Sequence, residues 1–396
     1  MNRFIAAGLL AAAATFGAVV PAGAQTGAPR ADKFRLGVVL PFGGTYGIIG
    51  QSMRRAIEMA LEERGNKVLG VPVEVMWEDD ESKPQVGVQK ANALISRGAH
   101  ALVGSVSSPV TLAVMKLAEQ SKTPLINTAS ADDRITGADR NRYTFRTSNN
   151  YTMEVRMVAA WLAGSGIKSI YGMGPDVGAA RDGWALLLKE TASLGVKVAG
   201  ESFPPLGTSD YSIVIDKIAK SGAQAVVIYT AGGDTVTFVK QAAAVKLDRK
   251  VKIVGPTALD DVGANAIGPA SVGLLSGVRY HFSVDSPRNR AFVDAYRKRF
   301  DEFPPTFAGT TYDGVSWWLD VVESTKSWDK EKWIAAFEGS VRDQSVQPRR
   351  TMRACDHQAA QDGLWAEATE AAPPYPKFVM KVVKTFPADS LFDACK

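Results

Sequence analysis

Three stretches of this chain have residue types and spacings that could do chemistry. The first is Gly44-Thr45-Tyr46-Gly47-Ile48-Ile49-Gly50. It lies between a strand-like run and a helical one, where backbone N–H groups at a helix start can face an anion. Its spacing is G-x-x-G-x-x-G, and no Gly-Lys-Ser/Thr follows, so neither a dinucleotide fingerprint nor a phosphate loop is present. The plainer reading is a glycine-rich turn that faces a ligand. The second stretch is Glu78-Asp79-Asp80-Glu81. Four carboxylates invite a cation, but the run lacks the alternating oxygen ligands and the glycine of a calcium loop. It reads as a polar strand end. The third is a set of hydroxyls, Ser105-Val106-Ser107-Ser108 before Pro109, and Asn127-Thr128-Ala129-Ser130. Hydroxyls beside free N–H groups at a helix start suit a carboxylate. Ser107 or Ser108 can also serve as an N-cap, and the two roles are compatible.

Covalent and metal chemistry find no support. There is no G-x-S-x-G, and His100, His281 and His357 are the only histidines, none in a metal-spaced cluster. His100 directly precedes a buried strand and reads as structural. With no positioned nucleophile, base or metal set, the expectation is a binding protein without cofactor or metal, not an enzyme.

The elements that must position these residues alternate. Phe34–Pro41 is strand-like. Residues 51–64 have helical spacing, with Met53, Ala56, Ile57, Ala60 and Leu61 on one face. Strands follow at 73–77, 101–103 and 125–127, with helices at 86–97 and 109–121 between them. The rhythm restarts with a helix at 151–162, strands at 169–173, 196–200, 225–229 and 252–255, and helices at 181–194, 211–221 and 235–245. Short apolar strands separated by helices predict an α/β architecture of parallel sheets covered on both faces. After Gly255 the pattern is looser, with helices at 286–300, 306–325 and 330–337 and a strand-like 377–383. In open α/β sheets, ligands collect beyond the carboxyl ends of the strands. Those positions hold Tyr46, Ser107, Ser108 and Ser130 from the first unit, and Tyr151, Asp234 and Thr257 from the second.

The amino terminus limits where such a protein works. Met1-Asn2-Arg3 carries a positive charge, an apolar run extends to about Val20, and Ala22-Gly23-Ala24 precedes Gln25. This is the pattern of a secretory signal peptide over residues 1–24, cleaved near Ala24. The run is short for a membrane anchor, which needs about 20 apolar residues. The remaining chain suits two domains, because single cores rarely grow past about 250–300 residues. The formal charge of the whole chain is +5. Its Lys and Arg residues are scattered, which argues against a nucleic-acid partner. Cys355 and Cys395 are the only cysteines, and an even pair in an exported chain is expected to form a disulfide.

Read in order, several motifs resemble the branched-chain amino-acid (Leu/Ile/Val-binding) family of ABC-importer substrate-binding proteins. They are Leu36-Gly-Val-Val-Leu-Pro-Phe-Gly-Gly with Gly50 fifteen residues after Arg35, Trp77-Glu-Asp-Asp, Leu102-Val-Gly-Ser-Val-Ser-Ser, Phe145-Arg-Thr, Pro205-Leu-Gly-Thr-Ser-Asp-Tyr and Ala231-Gly-Gly-Asp-Thr. The resemblance covers the chain from about Arg35 onward. It implies a periplasmic protein with the two-lobed type I binding fold, each lobe a mainly parallel sheet flanked by helices, joined by three hinge crossings. Lobe one would be residues 34–146 with 256–348, and lobe two 147–255 with 349–396. The crossings would lie near Arg146–Asn149, Gly255–Pro256 and Pro348–Arg353. A monomer would close on a small molecule by hinge bending and meet a membrane permease transiently.

The same resemblance makes departures informative. The serine that meets a ligand carboxylate falls at Ser108 and is kept. The threonine of the next strand end is replaced, with Ser130 as the substitute. The acid that balances a ligand ammonium falls near Thr257, which carries no charge, and tyrosines of the second lobe fall near Ala179 and Ala231. A buried ammonium without a counter-charge is costly. The expected ligand is therefore a carboxylate without an α-ammonium and larger than leucine, such as an aromatic acid, with Tyr46 and Tyr151 as stacking residues. Two alternatives stay open: branched-chain amino acids, with Asp234 or Asp260 taking up the ammonium, and a ligand sensor on the same clamshell.

Overall fold

The computed structural model describes residues 30–395, so the signal-peptide segment lies outside the described residues. The first sheet is built from β1 (Phe34–Leu40), β2 (Lys67–Val68), β3 (Val71–Asp79), β4 (Ala101–Gly104), β5 (Leu125–Asn127) and β6 (Thr144–Arg146), in spatial order β2-β3-β1-β4-β5-β6. Every pairing is parallel except the short β2–β3 hairpin. Helices α1 (Gly47–Glu63), α2 (Pro84–Ser96) and α3 (Ser108–Gln120) connect these strands. Each β-to-α turn therefore opens at the carboxyl edge of the sheet, where the hydroxyl and glycine motifs were expected.

The second sheet contains β7 (Ser169–Met173), β8 (Lys197–Ser202), β9 (Ala225–Ile228), β10 (Lys252–Gly255) and β11 (Leu275–Val278). They are linked through α4 (Tyr151–Ser165), α5 (Gly178–Thr191), α6 (Ser212–Lys220), α7 (Gly233–Ala244) and α8 (Asp261–Ile267). The chain then adds α9 (Pro287–Phe300), α10 (Thr306–Thr325) and α11 (Lys330–Phe337) to the first lobe, followed by a small antiparallel sheet of β12 (Val341–Arg342), β13 (Arg350–Met352) and β14 (Ala359–Ala360). Finally β15 (Gly363–Glu370) and β16 (Phe378–Phe386) return to the second sheet as an antiparallel edge, giving the order β16-β15-β11-β10-β9-β7-β8.

Two of the expected lobe boundaries are corrected by this topology. The chain does not leave lobe two at Gly255–Pro256, because β11 pairs in parallel with β10. The crossing comes after Val278, where Tyr280 and Phe282 enter the first core. The last crossing is also later than Pro348–Arg353. Met352 and Ala359 belong to the first core and Leu364 to the second, so the chain crosses at Gln361–Asp362. The first crossing lies between the end of β6 and the start of α4.

The first core is aromatic. Trp317 and Trp318 of α10 and Trp333 and Phe337 of α11 pack with Phe145 of β6, all essentially without solvent exposure. Burying one such side chain is worth about 1.5–3 kcal/mol. Helix α9 starts where Ser286 Oγ accepts a hydrogen bond from the Asn289 N–H at 3.0 Å, with Pro287 at the first helical position. The Cys355–Cys395 disulfide forms, with its Cα atoms 5.8 Å apart. Its two ends belong to different lobes. Cys355 O accepts from Arg140 of lobe one, and the adjacent His357 ring stacks on Phe145 at 4.0 Å. Leu391 packs in the core of α4, and Asp393 pairs with Arg156 of α4 at 2.9 Å. The disulfide is thus a fourth covalent link across the hinge. Among the described residues no helix is long and apolar enough to cross a membrane.

Candidate ligand-binding site

The strand ends of lobe one carry Tyr46, Ser107, Ser108 and Ser130. Tyr46 ends a short turn before α1 and keeps 38% of its surface exposed. Ser107 occupies the N-cap position of α3 but makes no capping bond, so the first amides of that helix are not satisfied by it. The Ser108 hydroxyl accepts from the Asp132 N–H at 3.3 Å and ties the two loops together. Ser130 does not fit the role of replacement threonine. Its hydroxyl is buried and bonds to Ser105 O at 2.7 Å and Thr111 Oγ1 at 2.7 Å. It braces the loop from behind.

All four carbonyls of the 129–132 loop accept hydrogen bonds, and three of its four amides donate one. Ala129 O accepts from Arg279 Nη1, and Ser130 O accepts from Asn127 Nδ2 at 2.9 Å. Ala131 O accepts from the Tyr151 N–H at 2.9 Å, and Asp132 O from Arg146 Nη1 at 2.6 Å. The amides of Ala129 and Ser130 both donate to Asn127 Oδ1. The Ala131 N–H makes no hydrogen bond among the described residues. Backbone amides are obligatory donors, so a free one beside an uncapped helix start is an anion-binding arrangement.

Arg146 is the organiser of this loop, and it is fully buried. Its other donors reach Gln358 Oε1 and Thr136 Oγ1, both at 2.5 Å. Burial lowers its pKa to about 10. The acidic run supports the neighbouring loop. Glu78 pairs with Lys90 and Arg97, Asp79 accepts from the Phe42 N–H, and fully buried Asp80 accepts from the Ser105 hydroxyl at 2.5 Å. Burial holds Asp80 above the usual carboxylate range, opposed by the Ser105 and Ser82 donors. His100 Nδ1 accepts from the Arg35 N–H at 2.9 Å and plays a structural part.

From lobe two come Tyr151, Asp234 and Thr257. Tyr151 opens α4, which Asn150 caps by accepting from the Met153 N–H at 2.8 Å. Burial, followed by the charge of Glu154, pushes the Tyr151 hydroxyl up to about 12, so it stays a neutral donor. The groups that act on it electrostatically include Arg279 of the hinge and Tyr46 and Asp132 of lobe one. The Tyr151 N–H donates to Ala131 O at 2.9 Å, which sets the start of α4 beside the 129–132 loop. Thr257 follows β10, and its hydroxyl is buried without a hydrogen-bond partner. Asp234 Oδ2 accepts from the Gly207 N–H at 3.2 Å and holds the 205–209 loop.

Sequence reasoning missed the ion pair here. Arg279 Nε donates to Glu154 Oε1 at 2.6 Å, with both residues more than nine-tenths buried. The only local signal was an arginine flanked by apolar and aromatic residues, in Val278-Arg279-Tyr280. A separate groove of about 460 Å³, lined by residues such as Ile215, Gln241, Val245 and Leu247, lies between α6 and α7. It touches none of these strand ends.

The protein family described as Periplasmic binding protein matches residues 33–373. Leu/Ile/Val-binding protein homolog 6 of Brucella abortus (strain 2308) is 28% identical over 327 residues, covering 79% of this chain and 82% of its own length. A solute binding protein of an ABC transporter from Rhodopseudomonas palustris HaA2, in complex with p-hydroxybenzoic acid, matches with a TM-score of 0.83 at 26% identity, over 90% of this chain and 98% of that one. The same comparison with the protein from Rhodopseudomonas palustris BisB5, in complex with 3,4-dihydroxy benzoic acid, gives a TM-score of 0.83 at 25% identity, again over 90% and 98%.

Proposed function

The chain belongs to the periplasmic binding protein family, and from that premise we propose that it captures a small aromatic carboxylate between its lobes and delivers it, chemically unchanged, to the permease of an ABC importer. The carboxylate is met by the Ala131 N–H and by Ser107 and Ser108 at the start of α3. Tyr46 and Tyr151 stack on the ring, and the unpartnered Thr257 hydroxyl takes a polar substituent. The protein acts as a monomer in the periplasm, after cleavage near Ala24, with no nucleic-acid partner and no catalysis.

One observation carries the choice of ligand: the acids around the strand ends are already engaged. Glu154 is paired with Arg279, Asp132 with Arg134, Asp133 with the Thr152 amide and hydroxyl, and Asp260 caps α8 through the Gly263 N–H. Glu154 and Asp132 are neutralised by cations. An α-ammonium would have to compete with the N–H and O–H donors already held by Asp133 and Asp260, whereas an ammonium left without a counter-charge costs several kcal/mol. A neutral ring with one carboxylate meets free donors instead. The benzoate-type ligands of the two Rhodopseudomonas proteins agree with this reading. A branched-chain amino acid is the competing ligand, favoured by the name of the Brucella relative.

A thermal-shift series on the purified mature chain separates the two, because a ligand bound only by the native state raises the melting temperature. Stabilisation by 4-hydroxybenzoate and none by leucine or valine is expected. Stabilisation by leucine alone overturns the proposal.

A further inference from the structure

Arg279 stands on the second hinge crossing, and its guanidinium joins three parts of the molecule. Nε donates to Glu154 of lobe two, Nη1 donates to Ala129 O of lobe one, and the plane lies 5.4 Å from the centre of the Phe307 ring. Contact with an aromatic face at this distance restrains the group further. Nη2 makes no hydrogen bond among the described residues and keeps an edge open to solvent. Arg279 as a whole is only 7% exposed. A guanidinium has five N–H donors in a fixed fork, and leaving some of them unpaired in so buried a place is costly.

The position of this cation bears on the site. The carbonyl it holds belongs to Ala129, two residues before the free Ala131 N–H. Ala131 O in turn accepts from the Tyr151 N–H at 2.9 Å. The free amide and the start of α4 therefore lie beside the segment that the guanidinium holds.

Building on the carboxylate reading above, we infer that Arg279 is the cationic contact that selects a carboxylate, and that Glu154 tempers its strength. A ligand carboxylate completes the donors of Nη2 with a charge-assisted bond. It also shares the cation with Glu154, so the two anions repel. An α-ammonium at the same place faces Arg279 directly and is rejected, while the acid that could have welcomed it is already paired. The ion pair is a specificity device: neutral in total, anion-seeking on its open edge.

Calorimetric titration of the mature chain with 4-hydroxybenzoate and with 4-hydroxybenzamide tests this, in the wild type, in Glu154→Gln and in the double variant Glu154→Gln/Arg279→Gln. The double variant removes both charges together, so it leaves no lone buried ion to unfold the protein. Glu154→Gln is expected to tighten the acid by on the order of 10-fold and to leave the amide unchanged. The double variant is expected to lower the acid-over-amide preference by on the order of 100-fold. A purely structural pair would not tighten the acid. Unchanged acid affinity in Glu154→Gln, or wild-type acid-over-amide preference in the double variant, overturns the inference while the aromatic-acid reading survives. A wild type that binds leucine and neither aromatic probe overturns that reading, and the inference with it.

Discussion

The start of α1 is jammed against the end of β1, and Gly50 is where they touch. A β-carbon at Gly50 would lie 1.7 Å from the Pro41 carbonyl oxygen and 2.8 Å from its carbonyl carbon. Both are backbone atoms, so no side chain can swing aside. To restore an ordinary contact the first turns of α1 must recede by roughly 1.5 Å. Overpacking that a core cannot absorb costs about 3 kcal/mol. For a lobe of this size Gly50→Ala should therefore lower the melting temperature by about 6–12 °C. The same shift carries Tyr46 with the helix, so affinity for an aromatic acid should fall as well. Gly43→Ala is the internal control: its φ is −134° and nothing lies within 4 Å of the added carbon. It should change stability by less than about 0.5 kcal/mol. Thermal melts of the two variants, followed by titration with 4-hydroxybenzoate, give the comparison. If Gly50→Ala melts with Gly43→Ala, the close approach of helix and strand is not as described, and the glycine spacing needs another explanation.

Other expected outcomes follow from separate features. Replacing Cys355 and Cys395 by serine opens a link between residues 40 apart in sequence. In the chain-entropy view this costs about 4 kcal/mol, read as a lower urea midpoint than that of the oxidised wild type; equal midpoints would refute it. Asp80 is raised by burial above its ordinary value of 3.8, so the native state keeps that proton to higher pH than the unfolded chain does. Its contribution to stability therefore falls as pH rises from about 4 through the raised pKa. Relative to Asp80→Asn, the wild type should gain stability on acidification from pH 7 to that range, measured by urea denaturation; a constant difference between the two proteins would contradict the assignment. Thr257→Glu supplies the missing counter-charge at the end of β10. It should weaken 4-hydroxybenzoate by roughly 10-fold or more and introduce leucine binding, both read by calorimetry. Unaltered preference would place Thr257 away from the ligand.

The parallel strands were legible because each is a short apolar run between turn residues. Leu125-Ile126-Asn127 and Lys252–Gly255 have the bounds that their composition predicts. Strand β11 was not legible. Leu275-Ser276-Gly277-Val278 has two apolar residues and a glycine, too weak a pattern to read beside the clear helices that follow. Its place in the sheet comes from partners far away in sequence, β10 on one side and β15 on the other. The hinge boundaries moved with it. The loops that frame the candidate site were partly legible for a similar reason. Tyr46, Ser107 and Tyr151 follow from where strands end and helices begin, which is local information. Ser130 was misjudged because the same strand end can turn its hydroxyl inward, to Ser105 and Thr111, and only packing decides this. Arg146 and Arg279 were passed over because arginine is ordinarily a surface residue. Here Arg146 ends a buried strand and Arg279 directly follows one, and their donors go to carbonyl, hydroxyl and carboxylate oxygens that no sequence pattern reveals.

The disulfide also sets the route that force takes through the molecule. Tension applied to the chain beyond Cys395 enters lobe one through Cys355. The stretch between the two cysteines contains β15 and β16, the antiparallel edge of the second sheet. That edge is bypassed, like a resistor with a wire soldered across it. A hairpin at a sheet edge would unzip one hydrogen-bonded pair at a time if it were loaded from its end. With the bypass in place, the load passes directly into lobe one, while the edge strands of the second sheet stay slack.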